Sequence, residues 1–401
     1  MKKRSPPARS GVKSSKLRRV KFQSPMRLTT LPAIAWLVTA PCHAQVERIW
    51  LTHQSTDPSH LVVNWETTKP TSSVVNYGRS AKLDRVATTL GTATRHHVEI
   101  AIPEQDGVWH YSVGTGADAS PLATFKGYPT RELRVAIVGD WGFAKGKDLG
   151  ALRNDDVHLL LTAGDNVPSL HEPGREGIKA FSALIDQQPG LFRSTPFMPI
   201  LGNHDKEARP RGPQPPAEAV YDVHATSYRE FFALPGDEWK WHFDIPVFDV
   251  RFLALDIEHI SDFGTTWQTC HAFDADSEQF AWFRQTMAQT KAGFVFSMMN
   301  EKQSSLHGAT KGLWHEQFRK GSALITGFGY FAERAELDGG LPYFNTCLKG
   351  DGAAYRDRQS KFFASQDNYL LLTFQRGADT MTVQIKNLLG QVLDSRVIVR
   401  R

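Results

Sequence analysis

Three short polar motifs, each at the end of an apolar segment, constrain the fold of this chain more than any other feature. They read Gly139-Asp140-Trp141-Gly142, Gly164-Asp165-Asn166 and Gly202-Asn203-His204-Asp205. Asp140, Asp165 and Asn203 follow one another at intervals of 25 and 38 positions. Helix-like stretches, such as 177–186, separate the apolar segments. This alternation predicts an α/β layered domain whose polar strand ends gather at one edge of a sheet.

The residue types at these strand ends point to metal chemistry. Asp140, Asp165 and Asn203 offer hard oxygen ligands, and a glycine before each lets the chain turn sharply. A pair of metal ions needs a bridging carboxylate, a role that suits Asp165. His204 stands next to a candidate ligand, where it is expected to protonate a leaving alkoxide or to hold a phosphate oxygen. The motifs therefore predict a metal site with a candidate acid beside it. The alternative is that each Asp caps a following helix and that His204 is a loop residue.

The region before the motifs has a different pattern. Residues 46–128 contain short runs of alternating hydrophobicity, such as 61–65 and 74–78, at a spacing of roughly ten residues. Pro70 marks a predicted turn between these two runs. The pattern predicts an antiparallel β-sandwich, and residues 126–129 read as a linker. Later in the chain the patterns predict a helix at 277–289 and three strands within 369–399.

The first 44 residues predict an export signal. They hold ten Lys and Arg residues and no Asp or Glu, and an apolar run at 31–40 follows the basic stretch. That run is too short for a transmembrane helix and suits the core of a signal peptide. Cleavage is expected after Ala44, with Met1 or Met26 as the start, and the mature protein is expected to be secreted or periplasmic. An uncleaved membrane anchor is the alternative.

Removal of this segment reverses the charge of the chain. The full sequence has a net charge of +5, but residues 45–401 hold 37 basic and 42 acidic residues. The mature chain is therefore acidic, which argues against a nucleic-acid partner. The remaining cysteines, Cys270 and Cys347, are expected either to pair in an oxidising compartment or to be buried singly.

These residues resemble a known family. The three motifs are similar to the first three motifs of the calcineurin-like metallophosphoesterases, and the β region resembles the fibronectin-type N-terminal domain of purple acid phosphatases. The resemblance covers about 46–401. It implies an αββα metallophosphoesterase sandwich at 131–401, preceded by an all-β, fibronectin III-like sandwich at 45–128. It also implies hydrolysis of phosphate esters by a metal-bound hydroxide, with Fe, Zn or Mn as the metal.

The second half of the chain departs from that family. The fourth motif of the family ends a strand with His, whereas the equivalent segment here, 294–301, contains none. The fifth motif carries two histidines, and the matching stretch has Phe328 and Tyr330 in their place. Candidate substitutes for the missing ligands are Asn300, Glu301, Tyr330, His307 and His315. A plain structural role is the alternative for each of them.

The departures leave different interpretations open. The first is an exported phosphoesterase that acts on a phosphate-ester small molecule or a phosphorylated substrate, with one metal ion rather than two. The second is a non-catalytic descendant, without metal, that acts as a binding or scaffold protein. A third places the working surface on the N-terminal sandwich, as a sugar- or peptide-binding module. The first interpretation gains if Asn300, Glu301 or Tyr330 lies within ligand distance of Asp165. The second gains if Phe328 fills the position of the second metal ion.

Overall fold

A computed structural model describes residues 45–103, 105–172, 174–209 and 216–401. From Gln45 to the C-terminus, the described residues belong to one compact unit. The predicted export segment at 1–44 lies outside the described residues. In the described ranges, no helix combines the length and the apolar character needed to cross a membrane.

The N-terminal region forms an antiparallel sheet, as its alternating pattern predicts. Its strands are β1 (Val46–Thr52), β2 (His60–Gly78), β3 (Arg85–Ala101), β4 (Val108–Val113) and β5 (Ala123–Lys126). The order is β1-β2-β4-β5, with β3 paired to β2. The side chains of Leu61, Val63 and Trp65 alternate along β2, and all of them are buried in the core of this region.

The two runs expected on either side of Pro70 belong to one long strand, so the predicted turn is wrong. Strand β2 passes through Pro70, with a register shift against β3 between Glu66 and Thr71. Proline cannot donate a ladder hydrogen bond, and the irregularity accommodates it without ending the strand. The first half of β2 pairs with β1 and the second half with β4. Hydrogen bonds thus join all five strands into one sheet, and a separate fibronectin III-like sandwich at 45–128 stays a prediction.

The remainder of the chain is a mixed α/β fold. Its strands are β6 (Glu132–Val138), β7 (Leu159–Thr162), β8 (Phe197–Met198), β9 (Trp241–Ile245), β10 (Val250–Ala254), β11 (Phe294–Met299), β12 (Ala323–Thr326), β13 (Ala332–Leu337), β14 (Leu341–Asn345), β15 (Ser360–Ala364), β16 (Asn368–Gln375), β17 (Thr380–Asn387) and β18 (Val392–Val399). Its helices are α1 (Gly150–Asn154), α2 (Gly177–Gln187), α3 (Pro189–Phe192), α4 (Thr226–Phe231), α5 (Glu278–Gln289), α6 (Gln303–Ala309) and α7 (Leu313–Phe318). The helices expected at 177–186 and 277–289 and the three C-terminal strands are confirmed.

The strands form two sheets that share a core. One sheet has the order β18-β17-β16-β6-β7-β8 and the other β15-β13-β14-β12-β11-β10-β9. Phe294 and Phe296 on β11 meet Phe374 on β16, with ring centroids 5.7 and 6.0 Å apart. Helix α5 packs Phe280, Phe283 and Met287 into a second core cluster that contains residues of β10 and β11. A helix therefore covers this sheet on one face, and the other sheet covers the opposite face.

The order of the strands places the three motifs together. Strands β6, β7 and β8 are parallel neighbours, and the motifs follow their carboxyl ends. Strands β10, β11, β12 and β14 of the second sheet are also parallel. Because carboxyl ends of parallel strands meet at one edge, these connections position the functional side chains.

The N-terminal sheet contacts the α/β core through Trp50 and His53, near the end of β1. The Trp50 ring stacks on Phe231 of α4 at 4.3 Å, and it belongs to the core cluster of the α/β part. The buried His53 ring lies 4.7 Å from Phe243. A core that crosses this junction explains why residues 45–401 behave as one unit.

Candidate functional site

Tight glycine turns hold the first two motif carboxylates. Asp140 and Asp165 both have positive φ, 53° and 55°, directly after β6 and β7. A Cβ on Gly139 would lie 2.0 Å from the carbonyl oxygen of Thr346, and one on Gly202 would lie 2.2 Å from Oδ1 of Asp165. Both positions therefore require glycine, because any side chain would collide with backbone or with a site residue.

Asp140 and Asp165 are buried side by side. Burial and the neighbouring Asp165 carboxylate raise the pKa of Asp140 well above its usual range, although the hydrogen bond from Cys347 opposes this. The Cys347 Sγ donates to Asp140 Oδ2 at 2.8 Å. Neither carboxylate forms an ion pair with Lys or Arg in the part of the chain that the structure describes. The site is thus an uncompensated pair of acids.

The third motif is fastened to the second by Asp205, whose role the sequence did not reveal. Its carboxylate accepts hydrogen bonds from the backbone of Gly202 (2.9 Å) and Asn166 (2.9 Å) and from Asn166 Nδ2 (2.8 Å). Burial and the nearby Asp165 raise the pKa of Asp205 to about 8, and these hydrogen bonds counteract the shift. Asp205 therefore positions the loop, and the buried Asn203 beside it is brought to the same edge.

His204 lies against Asp165. Its backbone N–H donates to Asp165 Oδ1 at 3.1 Å, and its ring Nδ1 lies 3.9 Å from Asp165 Oδ2. The side chain is 20% exposed, so substrate can approach it. The His171 ring is 5.2 Å away, and its Nε2 donates to the carbonyl of Asn203 at 2.6 Å. A single loop histidine carries no sequence pattern, and for that reason His171 was missed.

Two of the proposed substitute ligands, Asn300 and Tyr330, lie near this edge. Asn300 Nδ2 donates to the carbonyls of Ala163 (2.8 Å) and Gly327 (2.5 Å), and its Oδ1 lies 3.0 Å from the point where a Gly202 Cβ would be. Asn300 thus ties together the strand ends around Asp165. Burial and the charges of Asp140 and Asp165 raise the pKa of Tyr330 to about 12, which keeps the phenol protonated.

The other candidates lie elsewhere or make other contacts. Glu301 accepts hydrogen bonds from the backbone N–H groups of Ile260 and Lys302. Phe328 packs edge-on against Tyr355 at 5.1 Å. His307 and His315 pack against each other at 4.7 Å and line a separate cavity. Cys270 and Cys347 are both free and buried, so they do not pair.

The donors at the motif edge fit a single metal ion better than a pair. Among the described residues, no group of three or more His, Cys, Asp or Glu side chains is placed to hold one. The motif edge offers two carboxylates, Asp140 and Asp165, and the amide of Asn203. Oxygen donors of this kind suit a single hard cation with water in its remaining positions. They do not suit a dinuclear centre, which needs more protein ligands.

A buried charge network supports the motif loop from behind. Lys206, which follows the third motif, donates to both carboxylate oxygens of Asp256 at 2.9 and 2.8 Å, and lies 3.1 Å from Glu258. All of these side chains are fully buried. Burial alone would raise the pKa of Asp256, but Lys206 and His271 hold it well below its usual range. His271 Nδ1 donates to Asp256 at 2.5 Å, and its ring stacks on Trp239.

Replacement of Lys206 should strongly destabilise the fold. In Lys206→Met, two acids lose the cation that compensates them in the interior. Breaking a buried pair in this way typically costs about 3–5 kcal/mol. Guanidinium unfolding followed by tryptophan fluorescence measures the change. Lys179→Met is the matched control, because Lys179 is 77% exposed and its loss should change stability by less than about 0.5 kcal/mol. Equal stability of both variants would contradict the role assigned to Lys206.

Comparison with known proteins relates part of the α/β region to a family. Residues 133–321 match the sequence model of the calcineurin-like phosphoesterases. A purple acid phosphatase isolated from yellow lupin (Lupinus luteus) seeds superposes with a TM-score of 0.67 at 15% identity, over 89% of this chain and 75% of that chain. The structure of PhoD gives a TM-score of 0.60 at 10% identity, over 87% of this chain and 88% of that chain. No curated protein sequence matches this chain.

The chain therefore contains a calcineurin-like metallophosphoesterase domain, which confirms that part of the resemblance. The similarity to the two solved structures extends the shared fold over most of the described chain. The limits predicted for the separate domains, 45–128 and 131–401, stay predictions.

Proposed function

We propose that this protein hydrolyses phosphate esters with the help of one hard divalent cation, held by Asp140, Asp165 and Asn203. The observation that carries the proposal is the pair of buried carboxylates at the motif edge. Two ionised carboxylates in the interior are unfavourable, and without a cation the raised pKa of Asp140 shows that this acid takes up a proton instead. A bound cation would replace that proton and stabilise both ionised carboxylates. Lys206, the fully buried cation next to the third motif, is engaged by Asp256 and Glu258 and does not serve this purpose.

The side chains around the proposed cation site have separate roles in hydrolysis. A bound cation would neutralise charge on the phosphoryl oxygens and lower the pKa of a water molecule. Asp205 and Asn166 keep the Asn203–His204 loop against Asp165. The His204 ring, partly exposed beside Asp165, donates a proton to the oxygen of the leaving group. Tyr330, with its raised pKa, remains neutral and is available as a hydrogen-bond donor to the phosphoryl group.

The proposed substrate is a phosphomonoester or phosphodiester in an exported compartment. The acidic balance of residues 45–401 disfavours nucleic acid as the substrate. Export follows from the signal predicted at 1–44, and the expected mature N-terminus is Gln45. The intact mass of the protein recovered from its native source tests this point, and a mass that includes residues 1–44 would contradict it.

A non-catalytic binding function is the second candidate, and a specific contact favours it. The Cys347 thiol donates a hydrogen bond to Asp140 Oδ2. In the first proposal a cation would bind this carboxylate instead. Burial and the adjacent Asp140 raise the pKa of Cys347 well above its usual range, which keeps the thiol protonated in this contact. In this alternative the proton of Cys347 replaces the metal, and the edge only binds a ligand.

Asp165→Asn distinguishes these functions. The variant keeps the shape of the side chain but removes the charge, so it should lower kcat/KM by more than about 100-fold, since even indirect partners of a metal ion typically contribute about 10- to 100-fold. Hydrolysis of p-nitrophenyl phosphate and bis-p-nitrophenyl phosphate, each with added Mn²⁺, provides the measurement. Asp276→Asn, at an exposed position, is the matched control and should retain full activity. Wild-type rates in Asp165→Asn would place the reaction elsewhere, and an inactive wild type would favour the binding function.

The proton-donor role of His204 predicts a dependence on the leaving group. Loss of a general acid typically costs about 10²–10⁴-fold when the leaving oxygen needs a proton. His204→Gln should therefore slow hydrolysis of an alkyl phosphate much more than that of p-nitrophenyl phosphate, whose leaving group is already stable as an anion. Parallel kcat measurements with both substrates test this. An equal loss on the two substrates would show that His204 only shapes the site.

A further inference from the structure

Strand β18 lies at one edge of the six-stranded sheet, beside β17, and within the described residues no strand pairs with its outer side. Two side chains on its solvent face are also uncovered, since Val397 is 54% exposed and Val399 is 67% exposed, whereas Ile398 between them is buried. A strand edge that combines unpaired backbone groups with exposed apolar side chains is suited to pairing with a further strand.

The backbone groups at the outer side of β18 can be assigned to particular residues. At the end of the strand, the N–H of Arg400 donates to the carbonyl oxygen of Asp379 at 2.8 Å, which continues the ladder between β17 and β18. In an antiparallel pair, every second residue forms such hydrogen bonds to its neighbour. The alternate residues therefore direct their N–H and C=O groups to the free edge, and these are Ser395, Val397 and Val399.

A bulge sets the limit of the regular part of this edge. In the pairing with β17, Asp394 and Val392 lie opposite consecutive residues, so Leu393 between them is the extra residue of a bulge. The uninterrupted segment is therefore 394–400, and Val397 is its midpoint. Because the backbone groups of Val397 also face outward, two copies of this segment can pair in antiparallel orientation about an axis at this residue.

Pairing about that axis covers the exposed apolar side chains of β18. Val397 lies opposite Val397 of the second copy, and Ser395 lies opposite Val399. Directly opposite residues of an antiparallel pair share one face, so all of these side chains lie on the solvent face of the joined sheets. Each Val399 then lies diagonally across from Val397 of the second copy, within reach of an apolar contact.

The charged residues of the segment are compatible with this pairing. No like charges lie directly opposite each other, because Asp394 lies opposite Arg400 of the second copy and Arg396 lies opposite the uncharged Ile398. Each charge also has an opposite charge nearby in its own chain: Arg334 for Asp394, Glu336 for Arg396 and Asp249 for Arg400. The new charge pairs therefore extend existing networks, and the main-chain hydrogen bonds and apolar contacts supply most of the attraction.

We propose that two copies of this chain associate through β18, which joins their six-stranded sheets about a two-fold axis at Val397. The segment 394–400 is complementary to itself, as a two-fold interface requires. A single pair of strands buries less area than an obligate dimer, so the association is reversible, with a dissociation constant of about 1–100 μM. This interface does not depend on the hydrolysis proposed above.

Sedimentation velocity over a series of protein concentrations tests the association. Val397→Lys removes the apolar contact at the axis and places two like charges opposite each other, so it should raise the dissociation constant of the dimer by at least about tenfold. Val86→Lys is the matched control, because Val86 is 62% exposed on β3, and it should leave the association unchanged. A monomer at every concentration up to about 0.5 mM, or equal effects of the two variants, would overturn the proposal.

Cysteine cross-linking then tests the register. Opposite Cα atoms of a hydrogen-bonded antiparallel pair lie about 5.5 Å apart, a separation that a disulfide can span. Val397→Cys should therefore give a cross-linked dimer under mild oxidation, as measured by non-reducing gel electrophoresis. Ser395→Cys should not, because its two copies would lie roughly 13 Å apart along the strands. The native Cys270 and Cys347 are both buried. A cross-linked dimer of Ser395→Cys but not of Val397→Cys would overturn the proposed pairing.

Discussion

Two neighbouring carboxylates in the protein interior are the constraint on which the rest of this site depends. Asp140 and Asp165 follow adjacent parallel strands, and each adopts the left-handed backbone conformation. Glycine is required at Gly139 and Gly202 because Thr346 O and Asp165 Oδ1 occupy the space that a side chain would need there. No Lys or Arg in the described residues compensates their ionisation, and the pKa of Asp140 is raised well above its usual range by burial and by Asp165. The metal chemistry proposed for this edge follows from that unbalanced charge.

The surrounding structure holds these groups in place despite their repulsion. Asp205 fixes the third motif to the second through Asn166, and Asn300 bridges the ends of β7 and β12. Behind the loop, Lys206 is locked between Asp256 and Glu258. These contacts resist the relaxation that would otherwise separate the two acids. Burying two neighbouring acids without a Lys or Arg partner lowers the stability of the fold. Ligand binding explains such a site more readily than folding does.

The sequence predicted those features that depend on local pattern. Apolar runs that end in Gly-Asp or Gly-Asn predicted the α/β layers and the shared edge, and the spacing of Phe280, Phe283 and Met287 predicted α5. Pro70 was misleading, because a register shift lets β2 continue past it. Cys347 reaches the site region by tertiary packing from a distant segment, and no local pattern marks it or His171.

The metal content of the folded protein tests the central claim most directly. Protein purified from Gln45 onward, without chelator and after gel filtration, is loaded with Mn²⁺, Zn²⁺ or Fe and examined by native mass spectrometry. We predict one tightly bound ion per chain, lost in Asp165→Asn and retained in Asp276→Asn. Two ions would contradict the single-cation site. A chain that stays free of metal after incubation with each ion would contradict metal-dependent hydrolysis and leave the binding function as the explanation of this edge.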